Sequence, residues 1–279
     1  MPSDAALSPA GASARRHDPD RFLAALTAPP ARREHLFAVL ALEHEIARTR
    51  DVVSEPLLGE IRLQWWADAV AALGEGPVAA ADIVPALEAA VTEGRVPPPA
   101  LAAMVEGRRR DLEDGPPATL DALEDYARAT GGAVGRALAA ALDPQAPAEA
   151  AVAVGTGWAL TGILRAVPWR ARHNEISLPA DEMAAAGLTP HAVAAARGGE
   201  GLAAIVRRVA GRAESQFAAA RALRPLPVLR PALLPARLAR AHLGRLARAG
   251  YDPFAPELAR PDGLRALRVA WGAWSGRWW

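Results

Sequence analysis

Asp51 and Glu55 are the first side chains in this 279-residue sequence whose spacing could serve chemistry. On a continuous helix, residues four apart lie on one face, so the two carboxylates would be neighbours. Such a pair can hold Mg²⁺, which prefers oxygen ligands and often shares them with substrate phosphates. The pair is also compatible with ordinary surface charge at a helix end, and Pro56 disturbs the helical geometry that a metal site would need.

Basic side chains occupy the far end of another segment, TGILRAVPWRARHNEISLP, from Thr161 to Pro179. Its apolar body ends in Arg165 and Arg170 with Ala166 between them, and one carboxylate, Glu175, follows. The chain contains no lysine, so any phosphate contact from a fixed positive charge would come from arginine. Forked guanidinium groups hold a phosphate through two hydrogen bonds at once.

Two further segments combine aromatic or charged residues in ways that leave the interpretation open. Trp65 and Trp66, beside an arginine and a glutamine, could line a ligand cavity or belong to the core. Glu106 and Arg110 are four residues apart, and the spacing predicts a pair on a solvated helix face, worth about 0.3 kcal/mol.

The stretch from Tyr126 to Gly135, YARATGGAVG, contains three glycines and three alanines inside a helical pattern. Each glycine costs a helix about 1 kcal/mol relative to alanine. The usual compensation is the close approach of another helix or of a ligand, so Gly132 and Gly135 are candidates for either role.

The C-terminal sequence, WGAWSGRWW, is rich in tryptophan. Helical spacing places Trp271, Trp274 and Trp278 on one face. Tryptophan is favoured at membrane interfaces, so this face could contact a membrane, or it could pack onto the body of the protein.

Composition and missing motifs exclude several classes of function. The formal charge of +1 gives no overall field for nucleic acid, and the absence of cysteine excludes disulfides and thiolate chemistry. The six histidines show no zinc spacing, and no nucleophile elbow or phosphate-binding glycine loop is present. Without a secretory signal or a long uninterrupted apolar run, a cytoplasmic protein is expected, either soluble or peripheral to the inner membrane.

Helical patterns run through almost the whole chain, and no alternating β-branched run indicates a strand. We expect an all-α fold in one domain over residues 18–279, preceded by a flexible tail over residues 1–17. One helix is expected from Pro30 to about Val53. Another, over about 147–166, is expected to end before an irregular stretch that reaches about residue 178.

Taken in order, these segments resemble the squalene/phytoene synthase family over roughly residues 20–275. The most specific pieces are MVEGRRRDL, followed by LEDYARATGGAVG, and LTGILR, followed by ISLP. The resemblance implies an isoprenoid-synthase-type helical bundle with a central apolar cavity. It also implies that Glu106, Asp111 and Tyr126 are retained family positions.

The family carries two aspartate-rich motifs that face each other across the cavity mouth and hold Mg²⁺ against a substrate diphosphate. In the second motif, this chain has Gly162 where asparagine is usual, Ala166 at the first aspartate and Arg170 at the last. An arginine at a ligand position repels the metal ion. The resemblance therefore implies that Mg²⁺-dependent prenyl coupling is lost or severely weakened.

The first motif is also incomplete. Only Asp51 matches the family pattern well, while Arg50 and Ser54 stand at neighbouring acidic positions and Glu55 lies one place late. Within the family, VSEPLLGEIRLQWW and the late AGYDPF are most similar to the branch that includes a mitochondrial complex I assembly factor.

Two hypotheses follow from this resemblance. In the first, a catalytically silent protein without a cofactor binds an isoprenoid or lipid and helps a respiratory-complex client to assemble. Its mouth would be lined by Arg50, Arg165 and Arg170, with Trp65 and Trp66 near the cavity.

In the second hypothesis, the protein is an active prenyltransferase. The arginines would clamp a prenyl diphosphate, and the remaining carboxylates would supply a residual Mg²⁺ site. These carboxylates are Asp51, Glu55, Glu106 and Asp111.

Overall fold

The structure is a computed structural model, and it describes residues 7–279 except 54, 77, 79, 80, 114, 174, 196, 197 and 261. Every regular element among these residues is helical, which confirms the predicted all-α fold. The α-helices of the described chain are α1 (Pro9–His17), α2 (Pro19–Ala25), α3 (Pro30–Ala47), α4 (Thr49–Val52), α5 (Pro56–Ala72), α6 (Val84–Thr92), α7 (Pro98–Gly107), α8 (Leu120–Ala127), α9 (Ala133–Leu142), α10 (Glu149–Arg172), α11 (Ala180–Ala185), α12 (Pro190–Ala194), α13 (Gly199–Ala222), α14 (Arg230–Leu233), α15 (Pro235–Arg248) and α16 (Arg265–Ser275). Single turns of 3₁₀ or π helix lie at Arg108–Leu112, Arg128–Gly132 and Pro227–Leu229.

Proline and capping side chains set where helices begin. Proline lacks an N–H and has a φ angle near the helical value, so it suits the first turn. Pro19 opens α2, and the Asp18 carboxylate accepts a hydrogen bond from the Arg21 N–H at 2.9 Å. In the same way, the Thr119 hydroxyl accepts a hydrogen bond from the backbone N–H of Ala122 at 3.1 Å, at the start of α8. Local sequence chemistry therefore fixes these two helix starts.

Helix α10 lies at the centre of the bundle, against α9, α13 and α15. Small residues allow the close approach, because a Cβ on Gly135 would overlap the carbonyl oxygen of Ala151. The backbones of Gly131, in the turn before α9, and Gly155, on α10, are also in direct contact. Helix packing is therefore what offsets the cost of glycine here. α10 is long and apolar enough to cross a membrane, but 61% of its most apolar window is buried inside the bundle, as in a core helix.

The close contact between α9 and α10 at Gly135 predicts how substitutions of glycine change the stability of the protein. Gly135→Ala is expected to lower the free energy of unfolding by about 2 to 3 kcal/mol, because the added methyl group forces α9 and α10 apart. The matched control is Gly162, since no atom lies within 4 Å of where its Cβ would be. Gly162→Ala should instead stabilise α10 by up to about 1 kcal/mol. Urea unfolding followed by circular dichroism measures both changes, and equal effects would contradict the packing account.

The predicted flexible tail over residues 1–17 is wrong for residues 9–17, which form α1. The Ser8 hydroxyl accepts a hydrogen bond from the Gly11 N–H at 3.0 Å, and Pro9 occupies the first turn. Ala10 and Ala14 are fully buried, because α1 packs along α3. The alanine content that suggested a loose segment is what permits this close packing. Residues 1–6 lie outside the described chain.

Two predicted helix ends are also wrong. The helix that begins at Pro30 ends at Ala47, and the short helix α4 follows it. α10 continues to Arg172, through Pro168, where an irregular stretch was predicted. Pro168 removes one backbone hydrogen bond, but neighbouring side chains of the last two turns are buried in the core and keep them helical. The arginines of this segment therefore project from one continuous helix.

Candidate functional site

A cavity of about 540 Å³, called the site cavity, opens between the end of α3, helix α4, the 3₁₀ turn Arg108–Leu112, α8 and the last turns of α10. Its apolar lining includes Ala47, Leu123 and Ile163. Charged residues make up much of the remaining lining, so the predicted apolar character holds for only part of the wall. The charged residues that line it are Arg50, Asp51, Arg108, Arg110, Asp111, Glu113 and Arg170.

Two arginines of the site cavity converge on one carboxylate. An Nη atom of Arg170 donates to Glu175 at 3.1 Å, and the Arg50 Nε lies 3.9 Å from the other oxygen of the same carboxylate. Arg50 also donates to the backbone carbonyl of Asp111 at 3.1 Å. All three ionic side chains are partly exposed, so solvent reaches this point. The arrangement places guanidinium groups around an anion, which is the reverse of carboxylates around a metal ion.

The predicted carboxylate pair of the first acidic motif is not formed. α4 ends at Val52 and α5 begins at Pro56, so Asp51 and Glu55 do not share a helix face. Asp51 lines the site cavity, whereas Glu55 is exposed outside it. Ser54 lies outside the described residues. Among the residues that the structure describes, no three His, Asp or Glu side chains cluster in a way that could hold a metal.

A largely buried network in the wall of the site cavity centres on Arg108. Its guanidinium pairs with Glu43 of α3 and donates to Asp111 at 3.1 Å. The Tyr126 hydroxyl donates to the other Asp111 oxygen at 2.6 Å and lies 3.2 Å from Arg108. The structure therefore brings Asp111 and Tyr126 together, and both line the site cavity. Their role is to fix the turn that carries Arg108 and Arg110.

The charges of this network stabilise one another. Burial opposes the charge on Arg108, but Glu43 and Asp111 outweigh it and hold the pKa of the guanidinium above its usual value. Burial, with the Asp111 carboxylate beside it, raises the pKa of the Tyr126 hydroxyl, which therefore stays protonated and donates. Sequence reasoning missed Arg108 and Glu43. The available signal was Glu43 itself, a lone acid within the otherwise apolar run LFAVLALE.

Several predicted site residues lie away from the site cavity. Glu106 is exposed and pairs with Arg109 at 2.9 Å, so the predicted pair with Arg110 is wrong. Trp66 is 2% exposed and belongs to the core, while Trp65 stacks edge-on against it at 4.8 Å. Neither tryptophan is among the residues that line the site cavity, and for Trp66 the structure supports the alternative that it belongs to the core.

The remaining positions of the second motif lie along α10. Gly162, Ala166 and Arg170 follow one another at intervals of four residues, so they form one row along the helix. Gly162 is exposed with open space before it. Gly132 lies beside Thr156 of α10, and both it and Gly135 serve helix packing.

Arg165 does not line the site cavity, and that prediction is wrong. Its guanidinium lies 3.4 Å from Asp20 and contributes to a second cavity of about 570 Å³ on another side of α10. This second cavity is also lined by Arg172, His242 and Arg245. Burial, and the positive charges of Arg165 and Arg245, lower the pKa of His242 to about 4.

The lowered pKa of His242 predicts a dependence of stability on pH. Below pH 6.5 the His242 imidazole binds a proton in the unfolded state but stays neutral in the folded state. The free energy of unfolding therefore decreases as pH falls from about 6.5 to about 4. We expect a loss of about 2 kcal/mol between pH 7.5 and pH 5 from this group. Burial lowers the pKa of His17, His35 and His44 too, so the His242→Gln variant is needed to isolate the effect. Urea unfolding of both proteins at the two pH values measures it, and identical pH profiles would contradict it.

Comparison with known proteins gives both a family and a set of relatives. The model of the squalene/phytoene synthase family matches residues 14–275. NADH dehydrogenase (ubiquinone) complex I, assembly factor 6, of Bos taurus is 25% identical over 269 residues, covering 95% of this chain and 80% of that protein. The Homo sapiens protein of the same name is 24% identical over 265 residues, covering 93% and 79%.

Solved structures give the same fold. A dehydrosqualene synthase in complex with ligand superposes with a TM-score of 0.80 at 19% identity, covering 96% of this chain and 94% of that one. Squalene synthase HpnC from Alicyclobacillus acidocaldarius superposes with a TM-score of 0.75 at 21% identity, covering 88% and 94%. At these identities the likeness establishes the isoprenoid synthase fold.

Proposed function

Because the chain belongs to the squalene/phytoene synthase family, yet carries arginine where a metal ligand is expected, we propose that it is a member without Mg²⁺-dependent prenyl coupling. In this proposal the site cavity binds the anionic head of an isoprenoid or lipid. The protein supports the assembly of a membrane respiratory complex.

The observation that carries the proposal is the convergence of Arg50 and Arg170 on Glu175. Guanidinium groups that meet at one point create a positive potential, which opposes the entry of Mg²⁺ and favours a phosphate. Ionising an allylic diphosphate requires stabilisation of the leaving group, which metal ions usually provide. A diphosphate in this cavity would therefore be held rather than cleaved.

Glu175 competes with any external anion for the same two guanidinium groups. Glu175→Gln is therefore expected to tighten the binding of inorganic pyrophosphate by about tenfold, and Arg170→Gln to weaken it by about tenfold. Titration calorimetry in EDTA measures both affinities. The matched control is Arg172→Gln, which removes a charge from the same helix but at the second cavity, and it should bind as the wild type does.

This experiment also has a clear negative outcome. Equal affinity in the wild type and all three variants would place the anion elsewhere. Binding that appears only when Mg²⁺ is added would contradict the metal-free site.

The assembly role rests on the similarity to the complex I assembly factor named above. We place the protein in the cytoplasm, peripheral to the inner membrane, where such a client would be reached. Deletion of the gene tests this role when complex I activity and isoprenoid profiles are measured together. Loss of assembled complex with unchanged carotenoids and hopanoids is expected, and the reverse pattern would refute the role.

A second candidate function is head-to-head prenyl transfer, as in an active synthase. It is favoured by Asp51, Asp111 and Tyr126, which line the same cavity. Against it, Asp111 already accepts hydrogen bonds from Arg108 and Tyr126. The other two carboxylates that line the cavity, Asp51 and Glu113, would therefore be the ligands left for Mg²⁺.

A further inference from the structure

The exposed side of α16 is apolar, which reverses the usual arrangement of a surface helix. Leu264, Leu267, Trp271 and Trp274 recur at helical spacing, and each is more than half exposed, Trp274 to 80%. The ring centroids of the two tryptophans lie 5.1 Å apart. These four residues, named the α16 face, form one continuous apolar stripe.

The inner side of α16 is fixed to the bundle. Val269 is buried in a cluster with Leu234 of α14–α15, and Gly272 allows Leu234 to approach closely. Arg268 pairs with Asp262 at 3.0 Å, beside the stripe rather than on it. The α16 face is therefore presented by a rigid helix and not by a loose end of the chain.

The chain beyond α16 turns back on itself. Gly276 has a φ angle of 72° and ends the helix, after which Trp278 and Trp279 pack against the core. The guanidinium of Arg240 lies 4.1 Å from the Trp279 ring centroid. The prediction that Trp278 shares a face with Trp271 and Trp274 is therefore wrong, because the helix stops before it.

The charge of this part of the chain is strongly positive. Residues 221–279 contain eleven arginines and three acidic side chains, a net charge of +8 in a chain whose total is +1. A second exposed apolar stripe, on α5, includes Leu57, Leu58 and Ile61, but residues 50–75 around it contain five acids and two arginines, a net charge of −3. Of these two stripes, the α16 face therefore belongs to a positively charged segment of the chain and the α5 stripe to a negatively charged one.

We propose that the α16 face docks the protein on the surface of an anionic lipid bilayer. Tryptophan and leucine enter the interface between headgroups and acyl chains, and the arginines of the positively charged segment that carries α16 are attracted to the negative lipid heads. A second copy of the chain is a poorer occupant, because pairing two α16 faces would bring two positive surfaces together. This inference rests on the proposed membrane location, and it adds the surface of the protein and the lipid charge through which the protein would bind.

Vesicle sedimentation tests the inference with matched variants. The wild type should bind vesicles of phosphatidylcholine containing about one third phosphatidylglycerol at least tenfold more tightly than pure phosphatidylcholine, and high salt should weaken binding. Leu267→Ser/Trp274→Ser should reduce binding to the anionic vesicles at least tenfold. The control is Leu57→Ser/Ile61→Ser, which alters two residues of the α5 stripe that are also more than half exposed, and it should bind as the wild type does.

Three outcomes of the vesicle experiment would overturn the inference. These are equal binding to neutral and anionic vesicles, equal loss in the α16 and α5 variants, and wild-type binding by the α16 variant. Light scattering that shows a dimer broken by Leu267→Ser/Trp274→Ser would assign the face to a second copy instead, and would also overturn it.

The pyrophosphate titration separates this inference from the proposed function. The α16 variant should bind pyrophosphate as the wild type does, which also shows that it is folded. Arg170→Gln should bind vesicles normally. Failure of vesicle binding alone would refute the docking surface and leave the anion site intact.

Discussion

Replacement of Arg108 by methionine is expected to lower the free energy of unfolding by about 3 to 5 kcal/mol. The change leaves Glu43 buried on α3 without its cation, and it removes one partner of Asp111. A buried carboxylate must then stay unpaired or take up a proton, and both states cost free energy. Urea unfolding at pH 7 measures the loss.

Two further variants test whether the network is the cause. The double variant Arg108→Met/Glu43→Gln should recover part of the loss, with a coupling energy of about 2 kcal/mol. Arg109→Met removes the neighbouring arginine, whose partners are the half-exposed Glu60 and the exposed Glu106, and should cost less than about 1 kcal/mol. Similar costs for Arg108→Met and Arg109→Met would contradict the buried network.

Restoring aspartate at both second-motif positions should create a metal site. Ala166→Asp/Arg170→Asp changes the local charge by three units and places two carboxylates four residues apart on a continuous helix. Asp51 lines the same cavity as residue 170 and would complete the oxygen ligands. We expect Mg²⁺ affinity in the presence of pyrophosphate to rise about 100-fold or more, as measured by titration calorimetry.

A charge-matched variant on the other side of α10 controls for this experiment. Arg165→Gln/Arg172→Asp also lowers the charge by three units, but both residues line the second cavity. Its Mg²⁺ affinity should stay at the wild-type level. A similar gain in both variants would mean that net charge, and not ligand placement, governs metal binding.

The sequence predicted best those features that depend on local spacing. The helix caps at Asp18 and Thr119 depend only on residues within one helical turn. The close packing at Gly135 depends on the absence of a side chain at that one position. Arg50 and Arg170, which the resemblance assigned to the mouth of a cavity, both line the site cavity.

The failures arose where the side of a helix decides the role of a residue. Because α10 continues to Arg172, Arg165 and Arg170 point about 140° apart around its axis, so they line different cavities. The pair of Arg108 and Glu43 joins residues 65 positions apart, and no local pattern indicates such a contact. The exposure of Trp271 likewise depends on which face of α16 meets the bundle.

We propose that the site cavity holds an anion and does not ionise a prenyl diphosphate. Incubation of the purified protein with Mg²⁺ and farnesyl or geranylgeranyl diphosphate tests this proposal by the pyrophosphate that is released. We expect release at the level of a blank without protein. Release above that blank, which disappears in Asp51→Asn, would contradict it and establish an active synthase.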